Sequence, residues 1–345
     1  AASRPLIWAG GGARDAGAQV RELAERLQAP VFTTYTARGL LGDHPLAIGL
    51  PPHAPDAGAL WDAADAVVSV GSDLDGMNTQ NWRMPRPPRL IVVNADAVDG
   101  TKNYDADEVV EGDAAIACAM LAQRLRADRR AWADIDEVRR CARSRLRADH
   151  PAELAFLDAF AAAVPDDAVV LADMCVPGYW IAGFHRFSAP RRLQYPMGWG
   201  TLGFAFPASI GAAVAADGRS VISVSGDGGF LFACGELATL AQERTSLTTV
   251  IVDDGGYGML RYDQRRRGAS VDYGIDLRTP DFVALARAFG LRAESVDGLG
   301  DAFARALERH VADAEPTVLV ARAALQPPPT TSPRWHRTGP PHFAA

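Results

Sequence analysis

The chain has 345 residues, 48% hydrophobic and 22% charged, with a net charge of −7. That balance is typical of soluble globular proteins and excludes a fibrous or disordered chain, while the modest negative charge gives no electrostatic case for a nucleic-acid partner. The longest apolar stretch, around residues 203–215, contains Pro207 and Gly211 and is too short to cross a bilayer, so no membrane segment is expected.

The length predicts two α/β domains, each able to bury its own core. An apolar run at residues 6–9, a glycine turn at Gly10, Gly11 and Gly12, and a helical pattern through Val20, Leu23, Ala24 and Leu27 read as a strand–turn–helix unit. Further strands are expected at 31–34, 66–70 and 90–94, with helices at 57–64 and 114–125. Residues 127–150 are highly charged and read as a solvated connecting helix. A second alternation follows, with strands at 168–172, 221–224, 248–252 and 317–320 and helices at 204–215, 230–243 and 281–289. Strands alternating with helices imply two doubly wound parallel sheets. The expected division is a domain at 1–128, a linker at 129–152, a second domain at 153–325 and a proline-rich surface tail at 326–345.

Cys118, Cys141, Cys175 and Cys234 are widely separated, with no CxxC and no histidine at metal-ligand spacing. They read as reduced structural thiols, which places the chain in the cytoplasm. The first residues lack an initiator methionine, a signal core and a basic presequence, so the chain reads as a trimmed or cleaved piece.

Gly226-Asp227-Gly228-Gly229 ends one apolar strand, and Asp253-Asp254-Gly255-Gly256-Tyr257-Gly258 ends the next. Ligands of open parallel sheets bind at the carboxyl ends of strands, so both acidic turns face one place. Glycines at 226, 228 and 229 let a backbone approach closely and leave amides at the start of a helix near Phe230, a site for phosphate. The carboxylates of Asp227 and Asp254 are hard oxygen ligands for a small divalent cation. A lone Gly-Asp-Gly is most often only a turn. The pair is stronger, with 24 positions between Gly228 and Asp253.

This arrangement resembles the thiamine-diphosphate signature, in which Gly-Asp-Gly is followed at similar spacing by Asn-Asn. Tyr195-Pro-Met-Gly-Trp-Gly-Thr-Leu-Gly-Phe-Ala-Phe-Pro-Ala208 looks like the family segment that enters the cofactor cleft, and residues 6–125 resemble the central domain of acetolactate synthases and 2-oxo acid decarboxylases. The resemblance implies Mg2+ bound by Asp227, Asp254 and the carbonyl of Gly256. It implies diphosphate contacts from Gly226, Gly228, Gly229, Tyr257 and Gly258. Leu202 falls where the family wedges thiamine diphosphate into a bent V, and the Gly200 carbonyl would accept from its 4'-amino group; plain core packing is the alternative for Leu202. The implied reaction is decarboxylation of a 2-oxo acid, ligation of the product to a second carbonyl, or both.

Three departures stand out. Cys175, Val176 and Pro177 replace a Gly-Gln-His that helps hold the diphosphate in synthases, and Cys175 reads as a packing residue rather than a nucleophile. Asp15 stands where the last glycine of GxGxxG belongs, so Gly10–Gly12 reads as a structural turn, with FAD, which some relatives bind, as the alternative. The family's pyrimidine-binding domain, with its catalytic glutamate, is not in this sequence. An N-terminal fragment or subunit is therefore an expected partner, and a homo-oligomer, dimer or tetramer, is expected because the family's cofactor lies between subunits. A non-catalytic cofactor-binding or assembly module of the same fold is the alternative. We predict no turnover of pyruvate or other 2-oxo acids by this polypeptide alone and recovery on adding the pyrimidine-binding part. Robust turnover by the homogeneous chain in a steady-state assay would refute this.

Overall fold

The computed structural model describes residues 2–126 and 129–328. The chain divides into two compact units. The first holds residues up to Arg145 together with Arg186–Arg191, and the second holds Leu146–His185 and residues 192–328.

In the first unit, strands β1 (Pro5–Ala9), β2 (Val31–Thr33), β3 (Ala66–Val70), β4 (Leu90–Asn94) and β5 (Glu108–Glu111) form a parallel sheet in the order β2-β1-β3-β4-β5. Helices α1 (Gly17–Leu27), α2 (Pro55–Ala63), α3 (Ala97–Thr101) and α4 (Ala114–Gln123) alternate with them. A parallel sheet is covered on both faces, so its central strands need unbroken apolar runs, and every residue of β1 and β3 is buried. Ile7 and Ala9 share one cluster with Val20, Leu23, Ala24 and Leu27 of α1 and with Ala114, Ala117 and Cys118 of α4. On the opposite face Trp8 meets Trp61 edge-on at 5.6 Å and donates to Ser72 Oγ at 3.0 Å. Two short elements, α3 and β5, were not expected from sequence. Strand β5 is an edge strand exposed throughout, so it carries no apolar run to read.

The charged segment folds as α5 (Ile135–Asp149), burying only Ile135 and Ala142, and the chain passes into the second unit within it. There α6 (Pro151–Ala163) leads to β6 (Val169–Ala172), α7 (Val176–Phe184), β7 (Leu193–Gln194), α8 (Ala205–Val214), β8 (Val221–Gly226), α9 (Asp227–Leu231), α10 (Leu237–Glu243) and β9 (Thr248–Asp253). The rest comprises α11 (Gly258–Arg266), α12 (Phe282–Ala288), β10 (Arg292–Asp297), α13 (Asp301–Val311) and β11 (Thr317–Arg322). All pairings are parallel, in the order β10-β11-β9-β8-β6-β7.

The single helix expected at 230–243 is a correction: it is two helices, α9 and α10, separated by a 3-10 turn at Cys234–Glu236. Ala233 leaves the helical region at φ −129°, which interrupts the i to i−4 ladder, and the helix begins at Asp227 rather than near Phe230. Behind the site Phe206 of α8, Phe230 of α9 and Phe282 of α12 stack in sequence, with centroids 5.0 and 5.8 Å apart. All three are fully buried. Each contributes about 1.5–3 kcal/mol of burial, which fixes the helices at the sheet's carboxyl edge.

The expected surface tail begins differently. The amide of Gln326 donates to Glu153 Oε1 and its carbonyl accepts from Trp180 Nε1, both at 2.7 Å, and Pro327 and Pro328 are buried. The remainder of that tail lies outside the described residues.

His53, just before α2, is 2% exposed, and neither ring nitrogen has a hydrogen-bond partner. Burial, with the nearby Arg38 charge, pushes its pKa from 6.5 down to about 3. The folded value lies below the unfolded one, so the unfolded state takes up the proton first. The contribution is complete above pH 6.5 and is lost as the pH falls toward 3, at about 1.4 kcal/mol per pH unit. Urea unfolding of the chain and of His53→Leu between pH 4.5 and 8 should give a stability difference that is flat above pH 7 and moves against the parent below 6. A difference independent of pH would show that His53 does not titrate on unfolding.

Candidate functional site

Three neighbouring central strands of the second unit each end in a carboxylate. Asp173 follows β6, Asp227 follows β8, and Asp253 and Asp254 close β9. Parallel strands bring these ends to one edge, and there they line a cleft of about 270 Å3. The loop carrying Leu202 forms another part of its wall, and Val176, Pro177 and Tyr179 of α7 line it too.

Asp227 is 1% exposed. Its Oδ1 accepts from the Gly228 amide at 2.6 Å, and its Oδ2 is buried with no hydrogen-bond partner. Asp254 Oδ1 is likewise buried without one. Burial raises the pKa of both carboxyls; the Gly228 amide opposes this at Asp227, where the charges of Asp254 and Asp253 add to it, and the Arg261 guanidinium opposes it at Asp254. A buried carboxylate without a donor or cation costs several kcal/mol; Asp227 Oδ2 has neither, and Asp254 Oδ1 has only the Arg261 guanidinium 3.8 Å away, so the pair marks a place short of positive charge. Two carboxylates and backbone carbonyls are hard oxygen donors, the set that suits Mg2+. Among the described residues no group of three or more His, Cys, Asp and Glu is arranged to hold a metal. A cation here would draw on these two side chains together with backbone and ligand oxygens.

Around the carboxylates the backbone is packed so closely that side chains are excluded. A Cβ at Gly256, where φ is +151°, would lie 2.1 Å from the Ile275 carbonyl oxygen. At Gly229 it would lie 2.9 Å from Asp173 Oδ2. The turn is stitched to the following loop by an antiparallel bridge between Gly256 and Asp276, with Tyr257 N donating to Ile275 O and Leu277 N to Gly255 O, each at 3.0 Å. A glycine cradle at the start of α9, open to the cleft, fits a diphosphate.

Of the residues singled out from sequence, Leu202, Gly226, Asp227, Gly228, Gly229, Asp254, Gly256, Tyr257 and Gly258 all line this cleft. Gly200 does not. It sits in the same loop at φ +61°, backed by Met174, whose Sδ would lie 2.8 Å from a Cβ there. Leu202 is 38% exposed, so its apolar side chain is presented at the wall rather than packed in the core.

Two residues were missed by the sequence reading. Asp173 is fully buried, and its Oδ1 accepts from the amides of Phe204 and Ala205 at 3.0 and 2.8 Å. It thereby fastens the start of α8, and with it the Leu202 loop, to the end of β6. The signal was legible, because an acidic residue closes β6 just as it closes β8 and β9. Arg261 on α11 is the second, and no motif marks it. Burial and Asp173 push the Cys175 thiol up to about 12, so it stays protonated and packs rather than attacks.

The first unit has its own cleft of about 280 Å3 at the carboxyl edge of its sheet, beside Gly11 and Gly12. Its wall includes Asp73, Asp75, Asp99 and Asp113 and no arginine or lysine. The Gly10 turn is tight for packing reasons, since a Cβ there would lie 2.4 Å from the Gly71 carbonyl oxygen. Lys102 pairs with Asp73 at 3.0 Å and with Asp99 at 2.7 Å, which offsets part of the wall's acidity.

Comparison with known proteins agrees with this geometry. The central-domain family of thiamine pyrophosphate enzymes matches residues 1–121, and the C-terminal TPP binding domain family matches residues 174–321. A probable 2-ketoarginine decarboxylase of Pseudomonas aeruginosa is 37% identical over 311 residues, which is 84% of this chain and 53% of that protein. An acetolactate synthase large subunit of Mycobacterium tuberculosis is 32% identical over 328 residues, 87% and 53%. An acetolactate synthase isozyme 1 large subunit of Escherichia coli is 28% identical over 314 residues, 87% and 55%. The chain spans about half the length of the curated relatives it matches. With two family domains in order and the glycine-lined carboxylate cleft in the second, the chain belongs to the thiamine-pyrophosphate-dependent enzymes, the family of acetolactate synthases and 2-oxo acid decarboxylases.

Proposed function

We propose that this chain is the central and diphosphate-binding part of a thiamine-diphosphate- and Mg2+-dependent enzyme that decarboxylates a 2-oxo acid, ligates the product to a second carbonyl, or does both. The observation that carries the proposal is the pair of buried carboxylate oxygens, Asp227 Oδ2 and Asp254 Oδ1, that accept no hydrogen bond beside the Gly228–Gly229 cradle. Asp227, Asp254 and the Gly256 carbonyl would hold the metal, and the backbone at Gly228 and Gly229 would leave room for the diphosphate to approach closely. When bound, thiamine diphosphate supplies an electron sink for the carbon that loses carbon dioxide.

The chain's own residues bind, orient and keep out water. Leu202 offers an apolar support for the cofactor's rings, and Asp173 fixes the loop that presents it. Met174, Val176, Met259, Leu260 and Leu325 make much of the remaining wall apolar, which favours loss of a charged carboxylate by withholding solvation from it. The names of the relatives specify a ketoarginine decarboxylase and acetolactate synthases, and only what these share, a 2-oxo acid, is carried to this chain. The pyrimidine-binding part and a homo-oligomeric assembly belong to the proposal. FAD is no part of it.

The metal pair supplies the test. Asp254→Asn keeps an oxygen donor and removes a charge that also repels the diphosphate, so cofactor binding in Mg2+ should stay within about tenfold, roughly 1.4 kcal/mol. Asp227→Ala removes a charged ligand and should cost far more. Titration calorimetry with thiamine diphosphate and Mg2+, on the chain supplemented with its pyrimidine-binding part, ranks the two. Equal losses, or none for Asp227→Ala, would mean that no metal sits between these turns.

A further inference from the structure

The residues lining the cleft include carboxylates but no arginine, lysine or histidine. A cation nevertheless stands directly behind the wall. The guanidinium of Arg261, with its side chain 18% exposed, approaches four oxygens of the turn and its neighbour. Its Nη1 lies 3.4 Å from the Asp254 carbonyl oxygen and 3.8 Å from Asp254 Oδ1. Its Nη2 lies 3.3 Å from the Gly255 carbonyl oxygen and 3.0 Å from Asp276 Oδ1. Asp276 is the bridge partner of Gly256, so one planar fork holds both sides of the turn that presents Asp254 and the Gly256 carbonyl.

The charge balance gives this contact a function. Asp227 and Asp254 attract a divalent cation, yet each also repels the diphosphate that must sit beside them. Two such carboxylates need an offset if an anionic ligand is to enter, and Arg261, which does not line the cleft, meets Asp254. Both partners are largely buried, so the interaction is weakly screened by solvent.

We propose that Arg261 is a charge-balancing and positioning residue of the cofactor site, neutralising Asp254 toward the incoming diphosphate while pinning the Asp254–Gly255 turn. The proposal rests on the thiamine-diphosphate reading above. It requires coupling between Arg261 and Asp254: once the Asp254 charge is gone, the offset is no longer needed.

Titration calorimetry of the chain supplemented with its pyrimidine-binding part, with thiamine diphosphate at saturating Mg2+, tests it as a double-mutant cycle. Arg261→Met should weaken binding by about tenfold or more, Arg261→Lys by no more than about threefold, and Arg261→Met added to Asp254→Asn by no more than about threefold. Mn2+ alone, followed by electron paramagnetic resonance, should bind Arg261→Met at least as tightly as the parent, because removing a cation favours the metal while it disfavours the anion. A purely structural clamp would weaken both ligands and would cost the same in either Asp254 background, and that outcome overturns the proposal. The same holds if Arg261→Met binds thiamine diphosphate as the parent does. The lysine variant, which keeps the charge and loses the fork, decides the matter if the methionine variant fails to fold. A parent chain that binds no thiamine diphosphate would instead overturn the cofactor reading itself, and this inference with it.

Discussion

Carboxylates crowded at the carboxyl edge of three adjacent parallel strands are the constraint from which the rest of the second unit follows. Parallel pairing of β6, β8 and β9 sends their ends, and so Asp173, Asp227 and Asp254, to one place. Like charges in a poorly solvated site repel, and each has to be answered separately. Asp173 is answered by the amides of Phe204 and Ala205, and Asp254 by the Arg261 guanidinium. Asp227 has only its neighbour's amide on one oxygen, and the other is buried without a hydrogen-bond partner. The site is thus held short of positive charge in a way that a divalent cation would complete.

The geometry around these groups is set by contact distances more than by hydrogen bonds. Glycines at 228, 229 and 256 are required because a neighbouring ring, carboxylate or carbonyl already fills the space where a side chain would start. A short α9 follows from the same crowding. Its five residues turn the Gly228–Gly229 backbone toward the cleft, and the Phe206–Phe230–Phe282 stack holds it from behind. Packing energy placed on one side of the helix therefore stabilises a polar, under-compensated arrangement on the other, which is how active sites sustain local electrostatic cost.

The first unit repeats the architecture: it too is a parallel sheet with a glycine turn after β1 and an acidic cleft at its carboxyl edge. What differs is how the carboxylates are answered, since Lys102 pairs with Asp73 and Asp99 there, whereas Asp227 keeps a buried oxygen without a partner in the second unit.

Much of this was legible in the chain itself. Apolar runs at β1, β3, β8 and β9 identify buried parallel strands because such strands are covered on both faces, and the paired acidic glycine turns identify the cleft because ligands of such sheets bind at strand ends. Edge strand β5 escaped because it is exposed along its length, whereas the break between α9 and α10 carried an unread signal in Gly235, a poor helix former. Asp173 carried a signal in its position after β6. Arg261 carried none. The sequence by itself determined the two-unit α/β architecture, the family resemblance and the ligand-bearing turns, since these depend on periodicity and on residues close together along the chain. Only the tertiary structure decided that Asp173 fastens the Leu202 loop and that Arg261 balances Asp254. Asp173 reaches amides 31 and 32 positions away. Arg261, only seven residues past Asp254, meets it because α11 folds back over the turn.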